Sequence, residues 1–122
     1  MNVLSKIKSV TDSFGSEFDL LFKLGFMPDK PDRMAGLFEF TLIPPSHTFS
    51  GTDVTHNVQL RVRDVSSDAA YKTAEKLNGR LNGYYDDEIT VQQSTPVLDL
   101  GLDGANPPRH EYTINYIVRR LN

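Results

Sequence analysis

The 122-residue sequence contains no cysteine and no tryptophan. The first absence excludes disulfides and thiolate metal sites, so folding rests on packing and association. Nowhere do ~18 apolar residues run together, which excludes a transmembrane helix of ordinary length. The opening Met-Asn-Val-Leu-Ser-Lys-Ile-Lys lacks the continuous apolar core of a secretory signal, so a start in the cytoplasm is expected. Positive charge is also short: 13 Lys and Arg against 16 Asp and Glu give a net charge of −3. A protein built to grip a phosphate backbone normally has the opposite balance.

The motifs of the common enzymes are missing as well. There is no Gly-x-Ser-x-Gly elbow and no phosphate-cradling glycine loop. His47, His56 and His110 are scattered over two loops and a strand start without metal-ligand spacing. Asp99 and Asp103 near Gly104 superficially suggest a calcium loop, but the carboxylates do not alternate and prolines interrupt them; turn formation at Asp103-Gly104 and Asn106-Pro107 accounts for them better. Asp32 and Glu39 could be forced into a nuclease-like pair, but Thr41 stands where a lysine belongs. No catalytic residue, cofactor or metal is therefore assigned.

What the chain does contain is the material of one α+β domain spanning 1–122. Val3, Leu4, Ile7, Val10 and Phe14 fall at helical spacing and predict an amphipathic helix over 3–14, with the sheet and helix body over 17–122. The Phe- and Leu-rich stretch 17–27 leans towards a short strand leading into the Pro-Asp-Lys-Pro-Asp turn. Alternation predicts strands at 36–43, 58–63, 88–93 and 110–120, the last with Tyr112, Ile114, Tyr116 and Val118 on one face. Ser66 or Ser67 caps a second helix with Asp68 in its first turn. Ala70, Ala74, Leu77 and Leu81 form its buried stripe, and Asn82-Gly83 ends it. Two long polar loops, 46–55 and 94–109, complete the pattern. The expected fold is a mixed, mainly antiparallel sheet of four to five strands packed against two helices.

Arginines gather on the strands. Arg61 and Arg63 are expected on one wet strand face, Arg119 and Arg120 end another strand, and Arg109 closes the second loop. Pairing these strands brings like charges together unless carboxylates intervene, and Asp86, Asp87 and Glu88, in the same chain or a neighbour, are candidates. Tyr112 and Tyr116 suit a contact surface, where a ring packs while its hydroxyl finds a partner.

Four segments in order carry a family resemblance: the Pro28-Asp-Lys-Pro-Asp turn, Val58-Gln-Leu-Arg-Val-Arg-Asp before the Ala-rich helix, Leu81-Asn-Gly after it, and Pro96 through Arg109-His-Glu-Tyr-Thr-Ile-Asn-Tyr. Over roughly 29–122 the sequence resembles the tail-terminator or minor capsid proteins of long-tailed bacteriophages, departing from them in an apparent Ala105-Asn-Pro-Pro insertion. The resemblance implies a structural virion protein, not an enzyme, that forms a ring, expected to be a hexamer, capping the tail tube. Its implied partners are copies of itself, the tail tube protein and a head completion or connector protein, with DNA only in transit through the lumen and no membrane. The implied location is the head–tail interface of the virion, reached from the host cytoplasm. A head-completion role is the nearest alternative, a small metal-dependent nuclease a more distant one. Arg61, Arg63, Asp86, Asp87, Glu88, Asp103, Arg109, Tyr112, Tyr116 and Arg119 are the expected interface residues, with loops 46–55 and 94–109 making the contacts.

Overall fold

The computed structural model describes residues 3–14, 20–40 and 54–121. Helix α1 (Val3–Asp12) is followed by strands β1 (Phe22–Leu24), β2 (Met34–Phe40) and β3 (Val54–Asp64), helix α2 (Ser67–Leu81), and strands β4 (Ile89–Gln93), β5 (Leu98–Leu102) and β6 (His110–Arg120). The sheet order is β1-β2-β3-β6-β4. Among the described residues only the β1–β2 pair is parallel.

Strand β6 organises the far half of the sheet. One side pairs with the whole of β3, from Val54↔Arg120 to Asp64↔His110. Its other side is shared end to end: β4 covers the second half, Ile89↔Arg120 to Gln93↔Tyr116, and β5 the first half, Leu98↔Thr113 to Leu102↔His110. The expected 94–109 loop is thus corrected: it contains a strand. Alternation is hard to see there because a bulge falls between Asp99 and Gly101, and Gly101 takes φ +81, a conformation that side chains with a Cβ rarely adopt.

Both helices lie on one face of the sheet. Ala35 and Leu37, Val58, Leu60 and Val62, Ile89 and Val91, and Ile114, Tyr116 and Val118 form the sheet side of the core. Val3, Ile7 and Val10 of α1 and Ala74, Leu77 and Leu81 of α2 cover them, with Ala70 buried on the same stripe. Period-2 strands meet period-3.6 helices, and each contributes one apolar stripe. The Ser66 hydroxyl accepts the Ala69 N–H at 3.2 Å, the expected cap, and Gly83 beyond α2 has φ +83.

In β2 the buried face is that of Ala35 and Leu37, whereas Phe38 and Phe40 are half-buried on the opposite face, where the register sets them beside Gln59 and Asn57. No helix among the described residues covers that second face. The expected loop 46–55 lies outside the described residues up to 53, and 54 and 55 belong to β3. Residues 17–19 and 41–43 of the expected strands also lie outside them.

Candidate functional site

Three polar clusters and one apolar edge distinguish the surface. The first cluster ties the turn between β1 and β2 to the loop between β5 and β6. Arg63, expected on a wet face, is instead 3% exposed. Its guanidinium donates to the carbonyls of Asp32 (3.1 Å), Pro28 (2.8 Å) and Pro31 (2.7 Å) and contacts Met34 Sδ at 2.9 Å. The turn's geometry turns several carbonyls inward, and one planar cation with five donors satisfies them.

Arg109 lies beside it with its side chain 6% exposed. Its Nε donates to Asp103 Oδ2 at 2.7 Å and its Nη2 to Asp29 Oδ1 at 3.1 Å, and its Nη1 reaches the Asp29 carbonyl and Asp32 Oδ1. Asp103 in turn accepts the backbone N–H groups of Ala105 (3.0 Å) and Arg109 (3.1 Å). Those backbone donors, the Ala105 N–H first, together with the Arg109 guanidinium, hold the Asp103 carboxyl down at about 2. Burial and the neighbouring Arg109 charge lower the Arg63 pKa, an effect that Glu111, Asp103 and Asp29 oppose. The two like charges coexist because carboxylates flank them.

The second cluster joins α1 to the start of β4. Lys6 Nζ meets Asp86 Oδ2 at 2.7 Å and Glu88 Oε1 at 3.2 Å. Asp86 also accepts the backbone N–H of Glu88 and Ile89 and the Tyr84 hydroxyl. Burial pushes its pKa up, but these donors, Lys6 foremost, outweigh it and hold the carboxyl well below the ordinary range. The expectation that Asp86 and Glu88 answer the strand arginines is corrected within the chain: they answer Lys6. The carboxylate nearest Arg61 is Glu111, at 3.8 Å. Sequence spacing hides this, because Glu111 faces Arg63 in register and reaches Arg61 diagonally.

The third cluster lies at the opposite end of the sheet, where His56 Nδ1 hydrogen-bonds Glu39. His56 is therefore a strand residue with a partner, not a loop histidine. Asp32 and Glu39 stand at opposite ends of β2's approach and length, one with Lys30 and Arg109 and the other with His56, so the nuclease-like pair does not form. Among the described residues no group of three or more His, Asp or Glu can hold a metal ion. No helix among them is long and apolar enough to cross a membrane.

The tyrosines divide. Tyr116 is 1% exposed and donates its hydroxyl to the half-buried Asn78 Oδ1 at 2.8 Å, so its place as a surface anchor is corrected. Burial raises its pKa. Tyr112 is half-buried, packs edge-on against Tyr71 and stacks on His110. Asp87 and Arg119 are exposed. The feature that charge and tyrosine reasoning missed is β5 itself: Leu98, Leu100 and Leu102 are 40%, 47% and 58% exposed. The leucines in Val-Leu-Asp-Leu-Gly-Leu were a visible signal, obscured by the glycine and the flanking turn residues.

A family model described as bacteriophage tail terminator protein matches residues 6–120. No curated protein matches the chain in sequence. Among solved structures, the chain is similar to one from the virion of a native gene transfer agent particle, at 12% identity and a TM-score of 0.60, covering 93% of this chain and 86% of that one. A second solved chain matches at 12% identity and a TM-score of 0.59, covering 97% of this chain and 95% of the other. At such identity these likenesses establish the fold, whereas the family match takes in all but residues 1–5 and 121–122. The chain belongs to the bacteriophage tail terminator proteins, a family of structural components of the phage tail.

Proposed function

We propose that this protein forms a ring that caps the tail tube, ends tube polymerisation and offers the surface on which the head connector joins. The observation that carries this reading is the family match over 6–120, which takes in every strand and α2. The mechanism is stoichiometric binding: copies close around an axis, dock on the last ring of tube protein, and remove the surface on which another tube ring would stack. A ring of identical subunits needs heterologous contacts, in which two different patches of one chain meet. Six subunits is the stoichiometry that the resemblance implies.

The net charge of −3 suits a lumen through which DNA passes without being gripped. Of the expected interface residues, Arg61, Asp87, Glu88, Tyr112 and Arg119 retain surface, and we keep them as contacts to neighbours. Arg63, Arg109, Asp103 and Asp86 act one step back, by fixing the loops that make such contacts.

The test is electron microscopy of lysates from a phage whose copy of this gene is disabled. Abnormally long tails beside unjoined, DNA-filled heads are expected. Tails of normal length left unattached would move the protein to head completion, and normal particles would remove both roles.

A further inference from the structure

We infer that copies of this chain associate head to tail through the two edges of the sheet that are unpaired among the described residues, the leucines of β5 docking against the β1 edge of the next copy. The inference deepens the ring reading by naming its subunit contact. Among the described residues, β1 pairs only with β2 and β5 only with β6, and they lie at opposite ends of the sheet.

Both edges carry exposed apolar side chains beside the devices that blunt an open edge, Lys23 on β1 and the Asp99/Gly101 bulge on β5. An open sheet edge is usually blunted by lysines, prolines or a covering loop. Here Leu98, Leu100 and Leu102 stand 40%, 47% and 58% exposed on one edge. At the other, Leu21 and Phe26 are 42% and 55% exposed. These are among the largest apolar exposures of the described residues; the register sets Leu98 opposite Thr113 and Leu102 opposite His110, so the bulge spreads the leucines over both faces along one edge.

Charge selects between the two ways of joining such edges. On β5 the acid not paired with a cation is Asp99, Asp103 being bound to Arg109, whereas residues 21–26 contain Lys23 and no acid. A two-fold contact of β5 with another β5 would set acid against acid. Joining β5 to β1 sets acid near base and apolar against apolar. The bulge at Asp99/Gly101 interrupts regular backbone pairing on β5, and Asp99 Oδ1 is engaged with the Gly101 N–H at 2.7 Å. The contact is therefore made chiefly by side chains, Leu100 at the bulge being the central one.

The absence of cysteine makes the test direct. Lys23→Cys and Leu102→Cys are combined in the full-length chain and treated with a short bis-maleimide at the highest concentration at which the protein stays soluble. Within one chain the two sites are four strand spacings apart, roughly 19 Å, beyond the reach of the reagent. The double variant is expected to give a ladder of dimers, trimers and larger species, while each single variant stays monomeric. Leu100→Glu in the double-cysteine background is expected to abolish the ladder without lowering the melting temperature, since Leu100 is half exposed.

Dimers from either single variant would show a two-fold contact and overturn the inference. So would a double variant with no ladder, or a ladder that survives Leu100→Glu. The functional reading fails separately: a ladder together with normal tails in the gene-disabled phage would keep the contact and reject tail termination, and long tails without a ladder would do the reverse.

Discussion

Arg109→Met is the most direct test of the first cluster, because methionine keeps most of the side chain's volume and removes only the charge and its donors. The variant loses the 2.7 Å bond to Asp103, the 3.1 Å bond to Asp29 and the contacts to the Asp29 carbonyl and Asp32. Breaking a fully buried pair costs about 3–5 kcal/mol. Three facts lower that figure here. The Asp29 side chain is 78% exposed and is re-solvated. Asp103 keeps two backbone donors. Removing Arg109 also relieves its repulsion with Arg63. With hydrogen bonds to charged groups contributing about 1.5–3 kcal/mol each when buried, a net loss of about 2–3 kcal/mol is expected. At about 4 °C per kcal/mol for a domain of this size, the melting temperature falls by roughly 8–12 °C. Urea unfolding followed by circular dichroism measures the loss, with an unchanged m-value showing that the unfolded state is unaltered. Arg61→Ala, whose side chain is 39% exposed, serves as control and should change stability by no more than about 0.5 kcal/mol. A loss for Arg109→Met as small as the control's would refute the reasoning.

Acid should weaken the fold in a defined window. The Asp103 carboxyl is held at about 2 against an ordinary value of 3.8, so its contribution is complete above the unfolded value and disappears as pH falls from about 4 towards 2; Asp86, also depressed, adds in the same direction. Thermal melts across that range should show the drop, and Asp103→Asn should flatten it. Tyr116→Phe should cost about 1 kcal/mol, because the half-buried Asn78 Oδ1 loses its donor; an unchanged urea midpoint would mean that water replaces the hydroxyl. Ser66→Ala should cost about 1 kcal/mol through the lost α2 cap, and a change confined to a few tenths would show that the cap is redundant with Asp68.

Periodicity carried the sequence reading wherever one face of an element meets the core. The α2 stripe of Ala70, Ala74, Leu77 and Leu81 and the β6 face of Ile114, Tyr116 and Val118 are buried as their spacing predicts. Spacing says much less about cations. Arg61 and Arg63 alternate with Leu60 and Val62, and an alternating arginine normally reads as solvent-facing. Arg63 is buried because a turn 31–35 residues upstream folds over it with its carbonyls inward. That is tertiary information, absent from any local window. The same holds for Asp86, whose cation comes from α1 at the other end of the chain. Strand β5 was lost for a different reason: its bulge and Gly101 destroy the period-2 signal that would have announced it.

The arginine cluster also bears on how the two sheet edges are presented. The turn carrying Asp29 and Asp32 follows β1, and the loop carrying Asp103 and Arg109 follows β5. Arg109 binds the one to the other, and Arg63 on β3 fastens the turn to the middle of the sheet. Left free, segments rich in proline, glycine and aspartate would sample many conformations, and ordering them on association would cost about 1–2 kcal/mol per residue fixed. In this fold that ordering is completed during folding, by charges buried within one chain. The exposed leucines of β5 and the apolar residues beside β1 thus neighbour segments already ordered within the chain, so that in the ring proposed above the contact between copies would carry less ordering cost. Half of the charged residues that sequence inspection marks as contacts, Arg63, Asp86, Asp103 and Arg109, are spent on bonds within the chain, whereas Arg61, Asp87, Glu88 and Arg119 retain surface.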